Sequence, residues 1–326
     1  MDNRSSVLYL ATFEAPYSIQ VLIFSLCLAM YLTITAANLL VLVTVAVSTD
    51  LHKPMHIFLC NLAIGDIIIS TGGLPKQLHV LLIGDREILY VSCVAQLFTL
   101  HISAKNEILT LTIMSVDRYL AICYPLHYHT KVTAKRSIFT ALLSWLIAIV
   151  TVSIAVILQI SLQLSEKNRQ IQGIVCDHMG LLKLAVGDTS KIEVFGSSMV
   201  ATLGVFPLCV VAYTYVRIFI ECKNSSSAFR SKALHTFSTH FMALAVFFTS
   251  VFLDILLPRI VKDANSEGVN LRCAAQLVLL LSPIANVLVY WLRTLELKLA
   301  INTQFNKILR KVHFCPTIKV NVSDRG

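Results

Sequence analysis

"LTIMSVDRYLAICYPLHYHT" spans Leu111 to Thr130 and decides how the rest of the chain is read. An apolar helical stretch is interrupted by Asp117-Arg118-Tyr119, resumes for four residues, and stops before Pro125. An acid and a base side by side in so apolar a setting admit two readings. If the stretch is a membrane helix reaching its watery end, the pair is either a solvated terminus or a switch.

Composition identifies the solvent. Hydrophobic residues make up 56% of the 326 and charged residues only 14%, with a mean hydropathy of +0.74. Ordinary soluble domains are far less apolar. A bilayer core of roughly 30 Å takes about 20 apolar residues per helix. Seven stretches meet or nearly meet that length: Ala15–Thr49, Pro54–Pro75, Ile88–Val116, Ser137–Leu164, Val194–Val216, Ala233–Leu257 and Cys273–Leu292. Most carry no formal charge. The exceptions are Asp66 in the second, His101, Lys105 and Glu107 in the third, and His235, His240 and Asp254 in the sixth. Each closes its own backbone hydrogen bonds as a helix, as lipid requires. The expectation is an all-α membrane protein, a seven-transmembrane helix bundle forming a single domain. It has an outer N-terminus at 1–16, a bundle over 17–292, and a cytoplasmic helix and tail at 293–326.

Lysine and arginine set the orientation. With the N-terminus outside, 16 of them fall on the cytoplasmic side, among them Lys53, Arg118, Lys131, Lys135, Arg136, Arg217 and Lys223, against 10 outside. The positive-inside rule favours that arrangement. The net charge of +9 is therefore mostly a topology signal, and no soluble basic domain exists to carry a nucleic-acid partner. No cleavable signal pattern precedes the first stretch, which is expected to serve as an uncleaved anchor. Beyond Arg293, "TLELKLAINTQFNKIL" places Leu295, Leu299, Ile301 and Phe305 near one helical face. This reads as a short amphipathic eighth helix on the inner leaflet, with a solvated basic tail as the alternative.

Nine cysteines do not make a disulfide framework here. Cys27, Cys60, Cys123 and Cys209 fall in or at the ends of membrane stretches, and Cys222 and Cys315 face the reducing side. Cys93 and Cys176 lie in the oxidising compartment, where a bond between them would tie the long outer loop Ser165–Glu193 across the bundle. Cys273 is left over.

Five motifs in order resemble those of the olfactory receptors, a branch of the rhodopsin-like G-protein-coupled receptors. "HKPMHIFLCNLAIGDIII" (52–69) is similar to the segment around the family's second helix. "SVDRYLAICYPLHY" (115–128) matches its third-helix signature almost residue for residue. "CDHMGLLKLAVGDT" (176–189), "KALHTFSTHFMALAVFF" (232–248) and "SPIANVLVYWLRT" (282–294) resemble its outer loop, sixth helix and seventh helix. There are three departures. Val186 stands where the family has a second loop cysteine, so the loop should be looser. Val287 replaces the seventh-helix proline, removing a built-in kink. Phe248 replaces a tyrosine.

The resemblance implies roles. Asp117 and Arg118 pair at rest, and the arginine is released towards the G protein when the sixth helix swings out. Tyr119, Tyr215, His240, Asn286 and Tyr290 complete the switch. Asp66 and Glu107 lie near Asn38 and Asn286, where clustered oxygens suit a sodium ion; the alternative is protonated carboxyls sharing hydrogen bonds. The odorant pocket falls around Leu100, His101, Ala104 and Lys105 on the third helix. It continues through Met199 and Leu203 on the fifth, Phe248, Val251, Phe252 and Ile255 on the sixth, and Gln276 and Leu279 on the seventh. Lys105 needs an anion, either from the ligand or from Asp254 or Asp177. The sequon Asn3-Arg4-Ser5 is expected to be glycosylated.

A transporter is disfavoured by the lack of repeat symmetry. A membrane enzyme is disfavoured because the histidines are scattered and no H-E-x-x-H, G-x-S-x-G or P-loop pattern occurs. The expectation is therefore no enzyme and no cofactor beyond a sodium ion. The expected function is an odorant receptor at the plasma membrane, in cilia of olfactory neurons. It would bind a small, mostly apolar ligand, anionic where Lys105 meets it rather than an internal acid, and raise cAMP through a stimulatory, olfactory-type G protein. A rhodopsin-like receptor for a lipid or hormone is the alternative.

Overall fold

The computed structural model describes residues 7–165, 167–223, 227–260, 266–287 and 299. Its helices are α1 (Tyr17–Val47), α2 (Pro54–Ile83), α3 (Tyr90–Cys123), α4 (Pro125–Lys131) and α5 (Ala134–Ile160). They continue as α6 (His178–Leu184), α7 (Ser190–Val200), α8 (Phe206–Lys223), α9 (Ser227–Ile260) and α10 (Ser266–Leu281). A single π-helical stretch, Ala201–Val205, joins α7 to α8 into one long rod. The seven spans of the bundle are α1, α2, α3, α5, the α7–α8 rod, α9 and α10. Five of them are long and apolar enough to cross a membrane by length and composition. The other two are α3, which carries Lys105, Glu107, Asp117 and Arg118, and α9, whose apolar part is Phe241–Leu257. The expected eighth helix lies outside the described residues.

Local chemistry sets the boundaries. Proline opens both α2 and α4 at a first-turn position, where its missing N–H has no partner to lose. Gly84, at φ 81°, closes α2 in the left-handed region that glycine reaches without strain. Most of the helices overrun their apolar stretches by several residues at one end or both, while α1 falls within Ala15–Thr49. A helix of 31 residues, like α1, is about 46 Å long at 1.5 Å per residue and so reaches well into the headgroups. The π stretch was not visible as a pattern. It lies two residues before Pro207, which cannot donate to the helical ladder, and π turns of this kind interrupt otherwise regular helices.

Packing follows the bilayer's rule that polar groups bond inside the bundle while apolar side chains face out. Leu22, Leu32, Leu142, Leu146, Phe219 and Phe252 are exposed to the surrounding lipid. Where α2, α3 and α5 meet, Trp145 Nε1 donates to Asn61 Oδ1 (2.6 Å) and Asn61 Nδ2 to Thr110 Oγ1 (2.7 Å). Ser144 Oγ donates to Asn106 Oδ1 (2.7 Å). Each interhelical bond of this kind adds roughly 0.6–2 kcal/mol in a membrane. Gly73 of α2 backs directly onto the Leu280 side chain of α10, so a Cβ there would force that leucine to move.

Strands, unexpected in an all-α reading, cap the outer end. β1 (Val7–Leu10) pairs antiparallel with β2 (Glu87–Leu89) and parallel with β4 (Gln170–Ile171). The reason lies in β1's alternation: Leu8 and Leu10 are buried while Tyr9 faces out. β1 thus brings two leucines onto Ile88, Leu97, Ile171 and Leu181. The loop lacking its second cysteine is not left open. β3 (Gln163–Leu164) pairs with β5 (Ala185–Val186), setting Val186 opposite Gln163.

Candidate functional site

Towards the C-terminal end of α3, Arg118 Nη2 lies 2.9 Å from Asp117 Oδ2. The carboxylate is almost fully buried and the guanidinium about four-fifths so. A second group holds the same acid: the hydroxyl of Tyr128, on α4, donates to Asp117 Oδ1 at 2.8 Å. Burial and the neighbouring carboxylate push that phenol above its ordinary range, so it remains a donor at physiological pH. An acid at a helix C-terminus opposes the helix dipole, and these two partners offset that cost. Tyr128 was missed from sequence because its position in the short α4 turn became clear only in three dimensions. Its legible signal was the spacing after Pro125, which places it on the first full turn of a new helix. Beside the pair, Tyr119 packs edge-on against Tyr124 and Tyr213, and Tyr215 is buried beneath them against Phe241. Tyr290 and the side chain of His240 lie outside the described residues.

A prediction follows at this point. A hydrogen bond to a charged group is worth roughly 1.5–3 kcal/mol, and one made only in the resting arrangement biases it by about tenfold or more. Tyr128→Phe is therefore expected to raise ligand-free cAMP at unchanged surface level. An unchanged basal signal would remove Tyr128 from the switch.

Deeper in the bundle, Asn286 Nδ2 bridges the two carboxylates expected there, donating to Asp66 Oδ1 (3.1 Å) and Glu107 Oε1 (2.9 Å). All three are buried. Asp66 Oδ2 has no hydrogen-bond partner among the described residues. Asn38 is buried beside Asp66, as expected, and its amide also donates to Ile34 O within α1. The donor set is therefore all oxygen with one orphan acceptor, which fits a hard cation.

At the outer end, the Cys93–Cys176 bond is formed, with Cα atoms 5.3 Å apart. Glutamines flank it. Gln96, one turn below Cys93, accepts from Cys176 N (2.9 Å) and donates to Gly72 O (2.9 Å). Gln276 of α10 accepts from Ile174 N (2.8 Å) and Val175 N (3.4 Å) and donates to Asp177 Oδ2. Asp177 in turn caps α6 by accepting from Gly180 N. Burial holds this carboxyl above the usual range, opposed by the Gly180 bond, Arg272 and Lys183. Two expectations change here. Gln276 is committed to the loop rather than free for a ligand, and Asp177 is engaged by Gln276 rather than by Lys105. Gln96 was the anchor that sequence reasoning missed. A glutamine inside a membrane span, three residues from a bonded cysteine, was its signal.

The expected pocket residues divide between two layers. Leu100 and Ala104 pack with Ile69, Leu74 and Leu280, while Phe248 and Val251 join Phe247, Ile108 and Leu111 nearer the cytoplasm. Met199, Leu203, Ile255 and Leu279 are half-buried. Phe252 is corrected: at 62% exposure it lies on the same outward strip of α9 as the exposed Phe241, because a one-residue step from Val251 turns the helix by about 100°. A crevice does open just above these layers, between the loop and the outer ends of α9 and α10. It is lined by Asp177, Met179, Lys183, Asp254, Leu257, Arg272 and Gln276, among others. Lys105 is half-buried on α3, with no ion pair to Asp254 or Asp177 among the described residues.

A family model described as "Olfactory receptor" matches residues 26–308. The chain is 32% identical to Olfactory receptor 2AT4 of Homo sapiens over 86% of each chain. It is 33% identical to Olfactory receptor 4E2 of Mus musculus over 87% of this chain and 89% of that one. With Olfactory receptor 10G4 of Homo sapiens the identity is 34% over 92% and 96%. Seven membrane-crossing helices, the acid–arginine pair at the inner end of the third and the cystine-bound outer loop agree with those matches, and the chain belongs to the olfactory receptor family of G-protein-coupled receptors.

Proposed function

We propose that the chain sits in the plasma membrane with its N-terminus outside, in olfactory cilia, and raises cAMP through a stimulatory G protein when an odorant enters between α3, the α7–α8 rod, α9 and α10. The observation that carries this reading is the Arg118–Asp117–Tyr128 cluster, a charged latch at the cytoplasmic surface whose partners come from two elements. Ligand binding in the outer half favours whichever packing of α9 makes more contacts with it, and the equilibrium shifts by that difference alone. Movement of the cytoplasmic half of α9 opens the inner face of the bundle, and Arg118 exchanges Asp117 for the G protein. Tyr215, packed on Phe241 of α9, is placed to follow that movement.

Asp66, Glu107 and the orphan oxygen of Asp66 would hold a sodium ion, which when bound supplies the positive charge that two adjacent carboxylates lack. Asn286 keeps both carboxylates in register with α10. Asn3 is the proposed glycan acceptor and lies outside the described residues.

The test is expression in a cell line with a cAMP readout, challenged with carboxylic acids, amines and neutral odorants. An N-terminal epitope is read on intact cells alongside. A ligand-dependent rise in cAMP with an exposed epitope is the expected result. Silence to the odorant panel combined with a response to lipid mediators or hormones would transfer the chain to a different ligand class. An epitope reached only after permeabilisation would reverse the orientation.

A further inference from the structure

We propose that the ligand is a small monocarboxylate whose charge is taken up by Lys105 beneath the outer loop, with His101 and His178 beside it. The inference rests on the odorant-receptor reading above and adds the ligand's chemical class.

An ammonium group inside a membrane span is retained only where something compensates it. Of the three acids considered as partners of Lys105, Asp177 and Glu107 have other work, and Asp254 forms no ion pair with it among the described residues. Asp177 accepts from Gly180 and Gln276. Glu107, two residues along, points to another face of α3 and bonds Asn286. Asp254 lines the crevice beside Asp177, its charged neighbour. Among the described residues, no carboxylate forms an ion pair with Lys105. The missing counter-charge is the space for a ligand's anion.

Two imidazoles complete the site. His101 precedes Lys105 by one turn on the same face of α3. Its Nδ1 bonds Leu97 O at 2.9 Å, so the neutral ring carries its proton there and offers Nε2 as an acceptor. That nitrogen suits an ammonium proton, and His101 is therefore a positioning residue for Lys105. His178 opens α6 in the loop and is within electrostatic reach of both Lys105 and His101. Its Nε2 lies 3.7 Å from where a side chain on Gly196 of α7 would begin, so the loop spans from α3 to α7 here. Burial, then the Lys105 charge, keep His178 below its usual range and thus neutral. A neutral imidazole still donates one N–H. The cluster therefore presents one positive charge and one neutral donor. That matches a carboxylate with two oxygens and a single charge better than a phosphate with two. Leu100 and Ala104 on the same stretch of α3 offer an apolar wall for the ligand's tail.

The experiment uses straight-chain fatty acids, the matching primary alcohols, amines and alkyl phosphates, on the full-length receptor. Acids are expected to be the most potent. Lys105→Met should raise their half-maximal concentration roughly 10- to 150-fold, the range for one charge-assisted hydrogen bond, and leave the alcohols unchanged. Lys105→Arg should keep the preference for acids. Melting of the purified receptor in detergent reads binding without coupling: a fatty acid should raise the midpoint of the wild type and not of Lys105→Met. If Lys105→Met fails to reach the surface, acid against alcohol on the wild-type midpoint decides. The proposal is overturned if alcohols, amines or phosphates match or exceed the acids. It is equally overturned if Lys105→Met leaves the ranking intact, or if no acid stabilises the purified protein. Lys105-dependent stabilisation without any cAMP response would instead sink the signalling reading and leave the carboxylate site in place.

Discussion

Cys93→Ser and Cys176→Ser are each expected to abolish surface delivery and ligand response, whereas Cys273→Ser leaves most of both. The bond closes a loop of 83 residues, and in the chain-entropy picture such closure contributes about 4.5 kcal/mol. That figure is an upper one, because the bilayer already confines the helices between the two cysteines. The loss extends beyond entropy. Cys176 N donates to Gln96, Asp177 next to it is held by Gln276, and both cysteines are completely buried among Leu8, Leu97, Ile171 and Leu181. Freeing the loop therefore releases the cap that closes the outer end of the bundle. Cys273, also buried, packs beside Ala11 and Ile174 and forms no bridge, so its serine variant only exchanges a small apolar thiol for a hydroxyl. Surface labelling of the three variants in parallel is the check. Equal labelling and equal responses in all three would show that the bridge carries no such weight.

The second large effect is at the latch. Arg118→Ala is expected to leave the receptor at the surface and to remove ligand-driven cAMP altogether. Deleting the guanidinium has two consequences of opposite sign. It strips Asp117 of its ion pair, which weakens the arrangement seen here, and it removes the cation proposed to meet the G protein. The first effect is softened because Tyr128 keeps its hydrogen bond to Asp117. A wild-type response from Arg118→Ala would take the coupling role away from this residue. A raised basal signal with retained ligand response would make Arg118 only a restraint. Tyr128→Phe and Arg118→Ala should then differ in sign: the phenylalanine variant more active at rest, the alanine variant silent.

The sequence alone was sufficient for seven membrane helices, the disulfide pairing and the acid–arginine latch. Each is encoded locally: a run of apolar residues, two cysteines in the oxidising compartment, two adjacent charges at the end of one helix. Lipid enforces the rest, since a backbone that must satisfy its own hydrogen bonds has few alternatives to a helix. The resemblance to the olfactory receptors, not the spacing, was what placed Asp66 and Glu107 together near Asn286, and the structure joins them through that amide.

Only the tertiary structure decided which side chains were already taken. Gln276 lines the crevice as expected, but Ile174, Val175 and Asp177 engage its amide group and leave it less free for a ligand. Phe252 reads as lining until the phase of α9 turns it to lipid. Val7–Leu10 looks like an unremarkable tail. It becomes a strand because Arg86–Leu89 and Arg169–Ile171, some eighty residues apart from each other, offer it an edge on either side. The physical reason is the same in each case. A hydrogen-bonding group shows its chemistry in the sequence, but which of several long-range partners satisfies it depends on the distances that packing sets. Lys105 is the clearest instance: the sequence shows a charge in a membrane helix, and only the fold shows Asp177 and Glu107 hydrogen-bonded elsewhere and no ion pair from Asp254 among the described residues.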